Sequence, residues 1–401
     1  MSLPDRLAEH RPQPPIPERF TSFNVDIAYY KAFTEEILNT KGSSASASAV
    51  EAIDPALYQQ WGGNLEDVRL ALQNRMMGGF GHEHWRFHAE QGKRFHPRRI
   101  AVVGTGKDAT IIENVLEAYG KNTEVYVFEM SGEKLEGAKE TLGREAPEAL
   151  GRVHFQEGNA VWTLAQQPEA FDLVEAQLLL QHQEDKDPDN RVTALRQLLQ
   201  AMQTSLRYGG RLVISDLMMD DWRFETLDGH HNNGTAQKSM HRGNATIHGD
   251  VDDGGTYKGL LELGWGTKEG RGAHAWVSKD ELSDKVLLYT QLQPVESVHE
   301  SRFDITPGMT VLTDLMPATI TLGMTNALSA IRKAYESNPS DALRTMIERL
   351  EQNIEASWEQ SRTFHESCYA TGVGPRMPNL DFFVFEKTPL PVDQIPLETP
   401  V

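Results

Sequence analysis

Between residues 98 and 217 the chain alternates short apolar runs with amphipathic stretches, and this alternation constrains the fold more than any other feature. The apolar runs are RRIAVVGTG (98–106), EVYVFEMS (124–131), RVHFQEGN (152–159), FDLVEAQLLL (171–180) and RLVISDL (211–217). Runs of this kind are typical of parallel strands that are covered on both faces. Helix-like stretches such as 132–142 and 194–206 separate them. We therefore predict an α/β fold with a doubly wound, mostly parallel sheet.

The segments on either side of this core carry weaker patterns and predict additions to it. We divide the chain into an N-terminal arm with a helical lid (1–95), the α/β core (96–219), a loop-rich insertion (220–275), a return to the core (276–305), a helical insertion (306–372), a last core strand (373–390) and a Pro-rich tail (391–401). The helical stretch 316–368 could cap a cleft or provide a homodimer face.

Charge and cysteine content narrow the class of function. The chain has 39 basic and 58 acidic residues, a net charge of -19, which argues against binding to nucleic acid or to an anionic membrane. No apolar run approaches a membrane span, and the first residues lack a signal-peptide core. The single cysteine, Cys368, excludes an internal disulfide and a cysteine-based zinc site. We expect a cytoplasmic protein whose small-molecule partner is neutral or cationic rather than polyanionic.

A glycine-containing loop after the first strand is the main candidate ligand site. Residues 104–109, Gly-Thr-Gly-Lys-Asp-Ala, would lie at the carboxyl end of the sheet, where open α/β folds bind ligands. Glycines allow close approach of a ligand, and the following helix directs its free N–H groups to the same place. Glu129 ends the next strand and could accept hydrogen bonds from two ribose hydroxyls. The pattern predicts a nucleoside ligand, and its G-x-G-x-x-A spacing also matches the dinucleotide fingerprint.

The remainder of the predicted core favours one family of nucleoside-binding proteins. Residues 98–217 resemble the class I S-adenosylmethionine (SAM)-dependent methyltransferases. The resemblance rests on the glycine loop and on four further segments, VYVFEMSGEKLEGAKETL (125–142), HFQEGNAVWTL (154–164), FDLVEAQLLLQH (171–182) and ALRQLLQAMQTSLRYGGRLVISDL (194–217). It implies a Rossmann-like methyltransferase fold, SAM as cofactor, and methyl transfer to nitrogen or oxygen of a small molecule.

The same resemblance assigns cofactor contacts. It places Gly104 and Gly106 against the methionine and ribose parts of SAM, Glu129 at the ribose hydroxyls, and Asn159 with Ala160 at the adenine. Thr105, Asp108 and Met130 complete the predicted cofactor set.

Two positions depart from the family pattern and keep other functions open. The family's acid two residues before the first glycine is Val102 here, and its third glycine is Asp108. These departures favour, as an alternative, a SAM-binding enzyme of the same fold that does not methylate, such as a cyclase or lyase. The G-x-G-x-x-A spacing alone favours an NAD(P)-dependent oxidoreductase. A fourth alternative is a non-enzymatic protein with a vestigial cleft.

Methyl transfer needs a positioned acceptor and, for some acceptors, a proton-accepting base. His182 follows the fourth strand and is the candidate catalytic base, with a loop histidine as the alternative interpretation. By the resemblance, residues 20–95 and 220–275 are expected to cover the acceptor. The candidate substrate residues there are the aromatic side chains Tyr29, Tyr30, Trp85 and Trp222.

Histidines occur at metal-ligand spacing in one segment, yet we predict no metal. His84 and His88 are four residues apart and share a helix face. The metalloprotease pattern places Glu directly after the first histidine, whereas Trp85 follows His84. The favoured interpretation is an aromatic helix that packs over the cofactor cleft. A second group of histidines within 220–275 is interpreted as solvated loop residues.

Overall fold

The computed structural model describes residues 80–180, 193–217, 279–300 and 380–389, together with 223–226, 373–376 and single residues or short runs at 74, 183 and between 328 and 356. For 217, 223–226, 296–300 and 373–376 only the backbone is described. Among the described helices, none is long and apolar enough to cross a membrane.

Strands and helices alternate through the first part of the described chain. The strands are β1 Arg99–Val103, β2 Glu124–Glu129, β3 Val153–Glu157, β4 Phe171–Gln177, β5 Leu206–Leu217, β6 Arg223–Thr226, β7 Gln293–Glu300, β8 Val373–Arg376 and β9 Leu380–Glu386. The helices are α1 Phe80–Gln91, α2 Thr110–Tyr119, α3 Gly132–Glu145, α4 Ala160–Ala165, α5 Ala194–Ser205 and α6 Lys279–Tyr289, with a 3-10 helix at Pro147–Arg152.

Seven of these strands form one sheet in the order β3-β2-β1-β4-β5-β9-β7. The strands β1 to β5 pair in parallel, and β9 is antiparallel to both of its neighbours, β5 and β7. The chain moves outward in one direction from β1 to β3, then returns to β4 on the other side of β1. This order is that of a doubly wound, mostly parallel sheet, as the sequence predicted, and β6 pairs separately with β8.

The central strands are apolar because both of their faces are covered. All seven residues of β4 are buried, as are four of the five in β1 and six of the seven in β9. The edge strand β3 buries only its first residue, Val153, and its sequence VHFQE is correspondingly more polar. Burial on two faces therefore explains the near-continuous apolar runs of the central strands.

Side-chain caps fix where several helices begin. The side chain of Ser131 accepts a hydrogen bond from the backbone N–H of Lys134 at the start of α3. Asn159 and Thr193 do the same for α4 and α5, where they accept from Val161 and Arg196. Each cap satisfies one N–H group that has no partner within its helix.

The two faces of the sheet pack against different helices. Alternate residues such as Val103, Val174 and Ile214 join a hydrophobic cluster with apolar side chains of α4, α5 and α6. The opposite face carries Phe382 of β9, which stacks on Phe87 of α1 with ring centroids 4.2 Å apart and planes 9° apart. Helix α1 is thus held on the sheet by aromatic packing.

Two element boundaries differ from those that the sequence predicts. Strand β5 begins at Leu206 rather than at 211, because Leu206 pairs with Phe171 across a shift in register. The predicted helix at 276–285 is α6, which continues to Tyr289. The predicted lid before residue 74, the insertion at 227–275 and the helix 357–368 lie outside the described residues, so the domain boundaries stay a prediction.

Truncation of Phe382 tests the packing of α1 on the sheet. Phe382→Ala should lower the free energy of unfolding by about 3–5 kcal/mol, because it leaves a cavity beside Phe87. Val295→Ala, at a position that is 36% exposed on the edge strand, should change it by less than about 0.5 kcal/mol. Urea unfolding followed by circular dichroism measures both. Equal losses in the two variants would contradict the packing described.

Candidate active site

Two glycines shape the loop between β1 and α2. Gly104 has φ +75° and Gly106 φ +68°, values that other residues adopt only at a cost. A Cβ atom at Gly104 would lie 3.1 Å from Cδ1 of Leu179, whereas one at Gly106 would meet nothing within 4 Å among the described residues. The loop is therefore packed closely at its first glycine and has open space beside its second.

The carboxylate of Glu129 joins this loop to the next one. Its Oε2 atom accepts a hydrogen bond from the N–H of Gly106 at 3.2 Å, and its Oε1 atom accepts one from the N–H of Ser131 at 3.1 Å. The side chain is half-buried at the end of β2. An ionised carboxylate offers about four lone-pair positions, so about two remain for a ligand.

A second link joins the glycine loop to α3. Nζ of Lys107 lies 2.7 Å from Oε1 of Glu133, and this contact is the main cause that lowers the pKa of Glu133. The stem of Lys107 lies against Gly137, where a Cβ atom would come within 3.1 Å of Cγ of the lysine. A hydrogen bond thus ties the loop to the end of β2, and an ion pair ties it to the helix that follows β2.

Asp108 lies just before α2 and binds the first residue of that helix. Its Oδ1 atom accepts hydrogen bonds from the N–H of Thr110 at 3.1 Å and from the Thr110 hydroxyl at 2.8 Å, and its Oδ2 atom accepts from Asn74 at 3.2 Å. The residue is 5% exposed. Asp108, which stands at the family's third glycine position, is therefore held by hydrogen bonds to Thr110 and Asn74.

The loop between β3 and α4 presents the predicted adenine contacts. Asn159 is exposed and uses its Oδ1 atom to accept from the N–H of Val161 at 2.9 Å, and Ala160 is half-buried beside it. Two large apolar side chains, Met130 and Trp162, are 73% and 69% exposed. Trp162 was not among the sequence-predicted residues, although an apolar side chain left in water is a recognisable mark of a binding surface.

The other predicted residues fall in different places. Thr105 is buried and donates from its hydroxyl to the carbonyl of Gly106 at 3.2 Å. Trp85 is also buried, 3% exposed, and stacks on His82. The catalytic candidate His182 and the substrate candidates Tyr29, Tyr30 and Trp222 lie outside the described residues.

A buried polar cluster lies beneath the glycine loop, on the face of the sheet that α1 covers. We call His84, His88 and Glu175 the His–Glu–His cluster. Nε2 of His84 lies 3.2 Å from Oε1 of Glu175, and Nε2 of His88 lies 3.2 Å from Oε2. All three side chains are at most 1% exposed. Sequence analysis found the two histidines but not the carboxylate, which is 91 residues from His84 along the chain.

Strand pairing relates this cluster to the missing acid of the family pattern. Glu175 of β4 pairs with Val102 of β1, so both residues lie at the same level of the sheet. Paired residues of neighbouring strands point to the same face. An acid is thus present one strand away from Val102, but its carboxylate contacts His84, His88 and the hydroxyl of Ser215.

Outer contacts hold the two imidazole rings. Asn114 donates from Nδ2 to the carbonyl of Gly81 at 2.7 Å, and the same nitrogen lies 3.2 Å from Nδ1 of His84. Nδ1 of His88 lies 2.8 Å from the hydroxyl of Tyr119, and burial raises the pKa of that phenol well above 10. An amide nitrogen facing Nδ1 favours the His84 tautomer that carries its proton on Nε2 and donates to Glu175.

Burial and charge set the protonation states of the cluster. Burial, followed by the charge of His88, lowers the pKa of His84 to about 4, so this imidazole is neutral near pH 7. Burial alone would raise the pKa of Glu175, but His88 and His84 together outweigh it and lower the pKa to about 2. The cluster therefore holds the ionised, buried carboxylate of Glu175 between two imidazole rings.

The lowered pKa of His84 predicts a pH-dependent stability in metal-free protein. Unfolded histidine takes up a proton near pH 6.5, whereas folded His84 does so only near pH 4. The unfolded state therefore binds more protons in this window, and the free energy of unfolding falls as pH decreases from 6.5. Between pH 7 and 5 the loss from this group should be on the order of 2 kcal/mol.

Urea unfolding at several pH values, with a chelator present, measures this loss. His84→Gln should remove that part of the slope, and a change at exposed His154, His154→Gln, should keep it. A variant His84→Gln with the slope of the wild type would contradict the assignment.

Comparison with protein families identifies this part of the chain. Residues 103–264 match the family model described as a methyltransferase domain, a segment that spans less than half of the 401 residues. It begins at the last residue of β1 and includes the glycine loop, Glu129 and Asn159. None of the curated proteins matches the chain at a significant level.

Solved structures show only distant likenesses. A protein assigned as a methyltransferase from Bacillus halodurans C-125 is 12% identical, with 76% of this chain and 99% of that chain covered and a TM-score of 0.38. An O-methyltransferase family protein from Burkholderia thailandensis is 15% identical, with 62% and 60% covered and a TM-score of 0.37. The cyclase SpnF is 13% identical, with 76% and 81% covered and a TM-score of 0.36.

The family match confirms the methyltransferase resemblance seen in the sequence, and the sheet order is that of the fold which the resemblance implies. It also disfavours the dinucleotide interpretation of the G-x-G-x-x-A spacing, which rested on that spacing alone. Residues 103–264 match the methyltransferase-domain family, and the described strands of the chain form a doubly wound, mostly parallel sheet.

Proposed function

We propose that the chain binds SAM at the glycine loop and transfers its methyl group to a nitrogen or oxygen of a small-molecule acceptor. The observation that carries the proposal is the link between Gly106 and Glu129, which puts a carboxylate and an open glycine turn together at the carboxyl end of the sheet. Parallel pairing of β1 with β2 makes this arrangement a property of the fold.

The residues of the loop fit a nucleoside ligand. Open space beside Gly106 leaves room for the ribose and methionine parts, and the free lone pairs of Glu129 suit two neighbouring ribose hydroxyls. Exposed Met130 and Trp162 offer apolar surface for adenine near Asn159. In this proposal Thr105 and Asp108 act indirectly, since they stabilise the loop and the start of α2.

The chemistry asks little of the protein beyond positioning. SAM supplies a methyl group on a sulfonium, which is already an excellent leaving group. The chain must hold the acceptor in line, exclude water and, for an acceptor that loses a proton, provide a base. His182 stays our proposed base, because it follows β4 along the chain and β4 ends at the edge of the sheet where the loops meet.

We further propose that the acceptor is neutral or cationic. A net charge of -19 disfavours the approach of a polyanion and attracts a cation. The aromatic residues Tyr29, Tyr30, Trp85 and Trp222 were our sequence-based candidates for its pocket. Burial of Trp85 against His82 makes it a packing residue in the described chain, so the proposal rests on the other three.

A SAM-binding enzyme that does not methylate remains the second candidate function. The buried carboxylate of Asp108 is engaged by Thr110 and Asn74, and Glu175 is engaged by the histidines. Neither acid is therefore placed to offset the amino group of the cofactor, whose usual acid is replaced by Val102. Acceptor screens that follow S-adenosylhomocysteine distinguish the two: methyl transfer forms it, and a non-methylating reaction does not.

Calorimetric titration with SAM, S-adenosylhomocysteine, NAD and NADP in parallel tests the cofactor. Micromolar binding of the two adenosyl sulfur compounds, without binding of NAD or NADP, is the expected result. Binding of NADP alone would overturn the proposal in favour of an oxidoreductase. No binding of any of the four would leave a domain that kept the methyltransferase fold without its cofactor.

Glu129→Ala should weaken SAM binding by about 1–3 kcal/mol, roughly 5–150-fold, because charge-assisted hydrogen bonds to the ribose are lost. Glu140→Ala removes an exposed glutamate of α3 and serves as the matched control, with unchanged affinity expected. Calorimetry on both variants measures the effect. An affinity of Glu129→Ala equal to that of the control would show that the ribose lies elsewhere.

A further inference from the structure

The His–Glu–His cluster has a donor set that the methyl-transfer proposal does not use. Two imidazoles from one helix and a carboxylate from the central strand β4 converge, with their ligand atoms all within 4.8 Å of one another. Two histidines and one glutamate are a common ligand set for zinc in proteins. We propose that this cluster binds a zinc ion and thereby fastens α1 to the sheet.

The distances between donor atoms suit a single ion. Each of the two carboxylate oxygens faces a different histidine, with both Nε2–Oε separations at 3.2 Å. Ligand atoms about 2.0–2.1 Å from a tetrahedral zinc ion lie about 3.3 Å apart. The other ligand atoms lie within 4.8 Å of one another, so the side chains would close around the ion by about an ångström or less.

Hydrogen bonding alone leaves part of the cluster unsatisfied. His84 donates to Oε1 of Glu175, but the contact between His88 and Oε2 lacks the angles of a hydrogen bond. Within the described chain, Nε2 of His88 and Oε2 of Glu175 are buried atoms without a hydrogen-bond partner. Buried polar atoms of this kind are uncommon, and a bound cation would give both atoms a partner.

The surroundings point to a structural rather than a catalytic site. The three ligands are at most 1% exposed, which leaves no open position toward solvent. Structural zinc sites are closed and four-coordinate, so both oxygens of Glu175 would serve as ligand atoms beside the two imidazoles, whereas catalytic sites keep a position for water or substrate. Tyr119 contacts Nδ1 of His88 at 2.8 Å and would accept its proton, the usual outer partner of a metal-bound imidazole.

Zinc binding requires the Nε2 proton of charged His88 to leave to solvent and one further proton to move within the cluster. His84 must carry its proton on Nδ1 rather than on Nε2, so the amide of Asn114 must turn its oxygen toward that ring and give up its bond to Gly81. The bonds from zinc to the imidazoles and the carboxylate offset the disturbance of these buried hydrogen bonds.

Sequence analysis disfavoured a metal here on grounds that do not apply to this arrangement. That argument compared residues 84–88 with the metalloprotease pattern, in which a catalytic Glu lies next to the first histidine. In this chain the carboxylate comes from β4 as a ligand. The identity of Trp85 therefore has no bearing on whether the ion binds.

The test uses the full-length chain, stripped with a chelator and then titrated with Zn²⁺ and with Co²⁺. Wild type should bind one equivalent of zinc with a rise in melting temperature, and Co²⁺ should give the intense visible absorption of a four-coordinate site. Glu175→Gln and His84→Gln should weaken zinc binding by more than 100-fold and abolish that absorption. Tyr119→Phe, a milder change, should weaken binding by about 10–100-fold.

Two controls separate this site from other histidines. His82→Gln alters a buried histidine of the same helix. The double variant His230→Gln with His231→Gln alters two histidines of the 220–275 segment. Both control variants should still bind one equivalent of zinc. Absence of zinc binding by wild type would overturn the proposal, as would binding that survives in Glu175→Gln and His84→Gln. Should those two variants fail to fold, an unchanged zinc affinity in folded Tyr119→Phe would overturn it instead.

Discussion

Parallel pairing of β1 with β2 on one side and with β4 on the other determines where the candidate functional groups lie. The carboxyl ends of these three strands meet at one edge of the sheet, so the glycine loop, Glu129 and the segment after β4 are brought together there. Because both sheet faces are covered, polar groups on these strands must either reach that edge or find buried partners. Glu129 does the first, and Glu175 does the second.

Because both faces of the sheet are covered, the carboxylate of Glu175 can be buried there only with partners. An ionised carboxylate at the level of Val102 is expensive to bury unless it is paired. The two histidines of α1 provide that pairing, and Phe87 of the same helix adds aromatic packing on Phe382. Helix α1 precedes the matched segment 103–264 in the chain. Its contacts with Glu175 and Phe382 attach it to the sheet whose strands carry the glycine loop and the segment after β4.

Much of the fold could be predicted from the sequence, because its determinants are local. Apolar strand runs, helix periodicity and glycine turns each lie within about ten residues, and the predicted runs for β1 to β4 match the observed strands to within three residues at either end. The start of β5 was misplaced, since its extra residues pair with Phe171 only across a register shift that no local pattern encodes.

The site was predictable only in part, for the same reason. Gly104, Gly106 and Glu129 follow from their positions at strand ends, which the strand pattern already indicates. The partnership of Glu175 with His84 and His88 joins segments 91 residues apart along the chain and leaves no periodic trace. The hydrogen bonds of Asp108 at the start of α2 likewise involve Thr110 and Asn74, of which only Thr110 is nearby in sequence.

A crystal structure of the protein with S-adenosylhomocysteine is the most direct test of the account. It predicts the ribose hydroxyls within hydrogen-bond distance of the Glu129 carboxylate, and the sulfur over the turn at Gly104 and Gly106. Adenosine bound away from Glu129, or an empty glycine loop at saturating ligand, would contradict the central claim that this loop is the cofactor site.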